Sequence, residues 1–202
     1  MKSIGVLALQ GDFDLHLKMV RKAGGGPVEV RTVADLDQVD ALIIPGGEST
    51  TVAKLLRRYG LDRAITRRYK TGSLALYGTC MGLILVSREI VGYPDIFRFG
   101  FLDIAVERNA YGPQVESFEE ELPISLANGD GKSFSFRAVF IRAPQITEVG
   151  DGVKTLASHA GRPVLVSQGR CLGGSFHPEL TDDCRVHEFF IEQFVGGSAK
   201  NK

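Results

Sequence analysis

Three short apolar runs, each closed by glycine, constrain the fold of this chain more than any other feature. They are "SIGVLALQG" (3–11), "DALIIPGG" (40–47) and "SLALYG" (73–78), and none alternates polar with apolar residues. A strand with one wet face alternates, whereas a strand covered on both faces reads as a continuous apolar run. "VEVR" (28–31) adds another strand. Between the strands, residues 12–23 place Phe13, Leu17 and Val20 near helical spacing and stop at Gly24–Gly26. "STTVAKLLRRYG" (49–60) predicts a helix capped at Ser49 or Thr50 and ended by Gly60, and residues 81–90 predict another. Strands alternating with helices across short glycine turns predict an α/β fold, with a mostly parallel or mixed central sheet flanked by helices.

Beyond about residue 100 the pattern changes. "FLDIAVERN", "FRAVFIRAP", "PVLVSQG" and "CLGGSFHPE" predict strands with little helix between them. A last helix is expected over 182–195, with Phe189, Phe190 and Phe194 as packing residues. "ANGDGKS" (127–133) reads as an exposed turn. No linker or internal repeat divides the 202 residues, so one domain is expected over 1–196, with 197–202 as a frayed, disordered tail.

Lys+Arg and Asp+Glu number 24 each, so no global field favours nucleic acid or an anionic membrane. Arg57, Arg58, Arg63, Arg67 and Arg68 form a local exception, read either as a solvated helix face or as a docking patch. No apolar stretch approaches the roughly 20 residues of a membrane span, and no secretory cleavage pattern follows Met1. Cys80, Cys171 and Cys184 are an odd, scattered set, which argues against a disulfide framework. A cytoplasmic location is the expectation.

Chemistry concentrates at "GTCMG" (78–82), where a buried strand turns into a helix and presents one thiol. Ligands of open parallel sheets bind beyond the carboxyl ends of the strands. The segment matches a nucleophile elbow with cysteine in place of serine, and its glycines permit a tight strand-to-helix approach. The helix points its N-terminal amides and positive dipole end at the sulfur, and the amide of Met81 is placed to donate to a developing oxyanion. By itself the motif fits a buried structural cysteine equally well, so a base must be sought elsewhere.

Of the four histidines, His16 on the first helix reads as a surface or packing residue and His159 as part of a turn. His187 falls on the last helix, and His177 follows a strand in "GGSFHPEL". In an extended segment residues two apart share a side, so Glu179 is expected to orient His177 across Pro178. Cys80, His177 and Glu179 then form a nucleophile, base and orienter. Cys171, His177, Cys184 and His187 lie close in sequence but lack the paired spacing of structural zinc sites, so no metal is expected.

With these residues in place, the chain resembles class I, triad-type glutamine amidotransferases of flavodoxin-like fold. More narrowly it is similar to the glutaminase subunits of pyridoxal 5′-phosphate synthases. The likeness runs through "GVLALQGDF", "LIIPGGESTT", "YGTCMGLILV", "VERNAYGPQVESFE", "FIRAP" and "GSFHPELTDD", in that order. It implies hydrolysis of L-glutamine without a cofactor, with Cys80 as nucleophile, His177 as base and Glu179 as its orienter. It further implies an oxyanion hole from Gly46, Gly47 and the Met81 amide. Gly47, Glu48, Ser49, Arg108, Ile141 and Arg142 would line the glutamine site, and Gln10 is a gating candidate at its rim. An arginine fork suits the carboxylate of a free amino acid, although Arg142 could also be a solvated charge at a strand end.

The implied partner is a synthase subunit, a barrel enzyme in a large ring assembly, which receives the ammonia internally and joins it to a pentose phosphate and a triose phosphate. "GGGP" (24–27) lacks the lysine of a phosphate loop, so those sugars are not expected to bind here. The chain departs from the family at Met81, where a small residue is usual, and at Pro113, where a basic one is. Alternatives are a glutaminase serving another synthase, a non-catalytic regulatory subunit, and a cysteine peptidase on the same fold. The intact triad argues against the second, and the anchors Arg108 and Glu48 against the third.

Overall fold

A computed structural model describes residues 1–108, 117–125 and 133–195. Its centre is a seven-stranded sheet. The strands are β1 (Ser3–Leu7), β2 (Gly26–Val30), β3 (Ala41–Ile44), β4 (Ala75–Thr79), β10 (Lys154–His159), β11 (Arg162–Gln168) and β12 (Cys171–Gly174). The order is β10-β11-β12-β4-β3-β1-β2. From β2 to β12 all pairs are parallel, while β10, β11 and β12 pair antiparallel. The sheet is therefore mixed, with its parallel part in the centre.

Every residue of β3 and β4 is buried, as the continuous apolar runs predict. Side chains alternate across the sheet, and parity divides the core. Leu42, Ile44 and Leu76 join the cluster under α2 (Val33–Leu36), α3 (Ser49–Arg58), α4 (Leu61–Lys70) and α5 (Met81–Val86). Ile4, Val6, Ala41, Ile43, Ala75 and Tyr77 face the other side. There they meet α1 (Phe13–Lys22), α6 (Arg185–Phe190) and the hairpin of β7 (Ser117–Ser125) and β8 (Ser133–Ile141). A small sheet of β5 (Ser87–Ile90), β6 (Leu102–Glu107) and β9 (Gln145–Val149) completes the fold.

Several sequence expectations need correction. The helix expected over 81–90 stops at Val86, and Ser87–Ile90 is β5, paired in parallel with β6. The buried aliphatic run of Met81–Val86 does not mark its own end, and pairing with the neighbouring β6 makes Ser87–Ile90 a strand. Helix α3 is capped by Glu48, whose carboxylate accepts from the amides of Thr50 and Thr51 at 2.9 and 2.7 Å, not by Ser49 or Thr50. The last helix starts at Arg185 and becomes a π-helical turn at Ile191–Val195. The arginine cluster splits. Arg68 donates to the carbonyls of Leu36, Val39 and Ser73, fastening α4 to the end of α2 and to the loops that lead into β3 and β4, and Arg57 stacks over Phe97. Pro113, most of the "ANGDGKS" turn and the tail 197–202 lie outside the described residues. No helix among the described residues is long and apolar enough to cross a membrane.

Candidate active site

Four neighbouring parallel strands, β12, β4, β3 and β1, end on one rim, and each delivers a segment to the same cleft. The cleft holds about 460 Å³. Cys80 follows β4, Gly46–Ser49 follow β3, Gln10 follows β1 and His177 follows β12. Met81 lines the floor, and Arg108, Ile141 and Arg142 arrive from the ends of β6 and β8. All the cleft residues expected from sequence are thus brought together, with Glu179 buried behind His177.

Cys80 is held in a strained backbone, with φ 50° and ψ −105°, outside any regular element. A non-glycine residue with positive φ is uncommon and marks a position fixed by its surroundings. Two contacts fix it here. The Cys80 amide donates to Gly174 O at 2.8 Å, and α5 presses directly on the sheet. A Cβ on Gly82 would lie 2.0 Å from Ile44 O, so only glycine allows that approach. The elbow read from "GTCMG" is present.

Opposite the thiol, the amide of His177 donates to Val139 O at 2.8 Å, which locks the histidine to β8. Its Nδ1 lies 2.8 Å from Glu179 Oε1. The expected partnership forms, but not for the expected reason: Pro178–Leu180 is a 3-10 turn and not an extended segment, and that turn folds Glu179 back under the ring. A Cβ on Gly46 would stand 2.5 Å from His177 Cε1, so glycine at 46 lets the imidazole lie against the β3 turn.

The electrostatics follow from burial and partners. Burial opposes charge on His177, but hydrogen bonds to Cys80 and Glu179 outweigh it and push the ring up to about 10. Burial would raise the Glu179 carboxyl, yet the His16 and His177 rings reverse this and hold it well below the usual carboxylate range. The other two thiols differ. Cys171 is fully buried and pushed well above the ordinary thiol range by desolvation, and Cys184 is raised by burial and by Glu188, whose Oε1 is 3.1 Å from its sulfur.

Glu48 lines the cleft, but its carboxylate is occupied in capping α3. Burial works against the anion, and the Thr50 and Thr51 hydrogen bonds prevail, holding it at about 2. Its amide donates to Gln10 Oε1 at 2.8 Å, so Gln10 braces the turn after β3. Ser49 Oγ is buried without a hydrogen-bond partner among the described residues. Met81 is 1% exposed and joins the core, so the bulk of its side chain is absorbed beneath the cleft.

Of the two expectations for His16, surface or packing, the structure takes the second: it is fully buried, with Nε2 3.2 Å from Glu179 Oε2 and Nδ1 3.0 Å from His187 Nε2. The signal was present: Phe13, His16, Leu17 and Val20 follow the i, i+3, i+4, i+7 spacing of a buried helix stripe. Cys171 belongs to one core face, whereas His187 packs against Tyr77 on the other. Among the described residues, no group of three or more His, Cys, Asp or Glu could hold a metal ion.

The chain is similar to known proteins. A "Pyridoxal 5'-phosphate synthase subunit PdxT" of Thermus thermophilus is 54% identical over 189 residues, covering 94% of this chain and 96% of the relative. One of the same description from Kosmotoga olearia is 50% identical, covering 96% and 98%. A solved structure described as a glutamine amidotransferase superposes with a TM-score of 0.88 at 51% identity, covering 96% of this chain and 99% of that one. A putative GMP synthase subunit from Thermoplasma acidophilum, 16% identical with a TM-score of 0.63, shares the fold. A family model matches residues 6–196, and the chain belongs to the SNO glutamine amidotransferase family.

Proposed function

We propose that this chain hydrolyses L-glutamine to L-glutamate and ammonia, and passes the ammonia to a synthase subunit that makes pyridoxal 5′-phosphate. The observation that carries the reading is Cys80 on a strained elbow beside His177, whose far nitrogen is held by buried Glu179. The names of the relatives, at about half identity over nearly the whole chain, support the choice of pathway.

The reaction uses this chain's own groups. The Cys80 proton rests on His177, whose ring is pushed up to about 10, and the thiolate sulfur attacks the side-chain amide carbon, giving a tetrahedral oxyanion. The Met81 amide and the Gly46–Gly47 turn are assigned to that oxyanion. The C–N bond then breaks as His177 returns the proton to the departing nitrogen, leaving ammonia and a γ-glutamyl thioester. Water gives a proton to His177 and attacks the thioester, the C–S bond breaks, and the thiol is regenerated with glutamate. Arg108 and Arg142 are assigned to the substrate α-carboxylate, and the unpartnered Ser49 hydroxyl is available to a polar group of the same ligand.

Ammonia in water near neutral pH is mostly ammonium and no longer nucleophilic, which is the reason for a docked acceptor. The partner is assigned as the barrel-type synthase subunit in its ring assembly. Two measurements test the reading. Glutamate and ammonia release from glutamine, with and without that subunit, should show turnover that the complex couples to product. A diazo-ketone analogue of glutamine should label Cys80 alone by peptide mass mapping. Labelling of Cys171 or Cys184 with Cys80 untouched would reject the assigned nucleophile.

A further inference from the structure

A carboxylate that orients a catalytic histidine through one oxygen still has to settle its second oxygen when it is buried. Oε1 of Glu179 faces His177 Nδ1 at 2.8 Å, and Oε2 lies 3.2 Å from His16 Nε2, with the Glu179 and His16 side chains fully buried. The second contact is an ion-pair distance whose alignment falls short of a regular hydrogen bond, and Oε2 has no hydrogen-bond partner among the described residues. Removal of His16 would therefore leave half of a buried carboxylate uncompensated. We infer that His16 is a positioning residue for glutamine hydrolysis, holding Glu179 ionised and fixed so that His177 keeps its hydrogen on Nδ1 and its Nε2 toward Cys80. The inference rests on the proposed triad chemistry and extends the triad by one residue from a different element.

The tautomers support it. An ionised carboxylate only accepts hydrogen bonds, so the His16 nitrogen facing Oε2 must carry a hydrogen. If the His16 ring is neutral, Nδ1 then accepts from His187 Nε2, 3.0 Å away. That leaves His187 Nδ1 as a bare acceptor, and this atom is indeed buried without a partner among the described residues. An orphaned acceptor is better tolerated than an orphaned N–H, and His187 is held neutral, since burial and His16 depress it to about 3. Thr79 Oγ1 lies 3.2 Å from the same His16 Nε2. His16 thus touches the residue before the nucleophile and the orienter of the base, joining the two halves of the triad.

The ionisable groups around His16 are Glu179 on the 3-10 turn and, through it, His177 just before that turn, then His187 on α6 and, through it, Tyr77 on β4. Strand β1 carries none, and Glu29 of β2, paired with Arg31 just beyond the strand, is exposed. Burial and Glu179 hold Tyr77 well above its ordinary range, so it stays neutral. Glu179 is the group whose charge His16 controls.

The test uses the full chain and two readouts: steady-state glutamine hydrolysis, and the pH dependence of Cys80 alkylation by iodoacetamide, mapped by peptide mass. In His16→Leu, kcat should fall at least about tenfold with KM nearly unchanged. Glu179 would then take up a proton at higher pH, so the acid limb of both profiles should move up by about one pH unit or more. His16→Gln places an amide N–H near the level of Nε2 and should restore most of the rate and the limb, whereas His16→Asn reaches only the level of Nδ1 and should not. A folded His16→Leu with kcat within twofold of the parent and an unmoved profile would overturn the inference. If His16→Leu does not fold, the other two variants decide, and equal rates with equal profiles would overturn it. Absence of glutamine hydrolysis by the parent, alone and with the synthase subunit, would instead remove the functional reading, while the alkylation profiles still decide the role of His16.

Discussion

At His177 two opposing influences meet, and neighbours win over burial. The ring is pushed up to about 10, above its ordinary value of about 6.5. A raised histidine contributes stability that is fully present below about pH 6.5 and is lost as pH rises toward 10. Glu179 behaves oppositely: its depressed carboxyl contributes stability present above about pH 4.3 and lost as the pH falls through its lowered folded value. Melting temperatures of the parent should therefore decline more between pH 6.5 and 10 than those of His177→Asn, and parallel declines would contradict the raised ring. In turnover, His177→Asn should be inactive and Glu179→Gln slowed less severely, since the orienter transfers no proton. Full activity in His177→Asn would remove the triad.

Among the elements, α3 and α5 begin at the cleft wall and at the proposed nucleophile, and each is set by one residue at or near its start. Truncation of Glu48 to Ala removes both side-chain bonds that cap α3 and should cost about 1 kcal/mol by denaturant unfolding, with a rise in KM as the turn after β3 loosens. An unchanged midpoint would mean that water replaces the cap fully. Gly82→Ala forces a methyl to within 2.0 Å of Ile44 O, and moving α5 away should cost roughly 1–3 kcal/mol and lower kcat more than KM rises. Much of this was legible in sequence, because continuous apolar runs and a glycine-flanked cysteine are local signals. What escaped was decided by distant neighbours. The 87–90 segment becomes a strand only because β6 lies beside it, and Glu179 reaches His177 through a turn that proline begins. Sequence leaves His16 as either a surface or a packing residue, because the partners that settle it, Glu179 and His187, lie far away in the chain.

At the scale of the whole molecule, the rim is poised between elements and not sealed by one of them. Gly11 and Gly46 meet so closely that a Cβ on Gly11 would lie 1.9 Å from Gly46 O, and Gln10 braces the adjoining turn through the Glu48 amide. A Gly-Gly peptide rotates at little steric cost, and loss of one oxyanion donor costs about 10²–10³ in rate. We therefore expect the isolated chain to be a weak glutaminase and to gain kcat/KM when saturated with the synthase subunit. Equal kcat/KM in both conditions would sink gating and leave the triad standing. The parallel pairing of β12 with β4 has a consequence for biosynthesis as well. The ribosome delivers the cysteine segment long before it makes the strand whose Gly174 carbonyl fixes the elbow and which leads into His177. Until that last strand slots in beside its partner, the thiol lacks its proposed base, so on this reading a half-made chain holds the warhead without the trigger and leaves glutamine untouched.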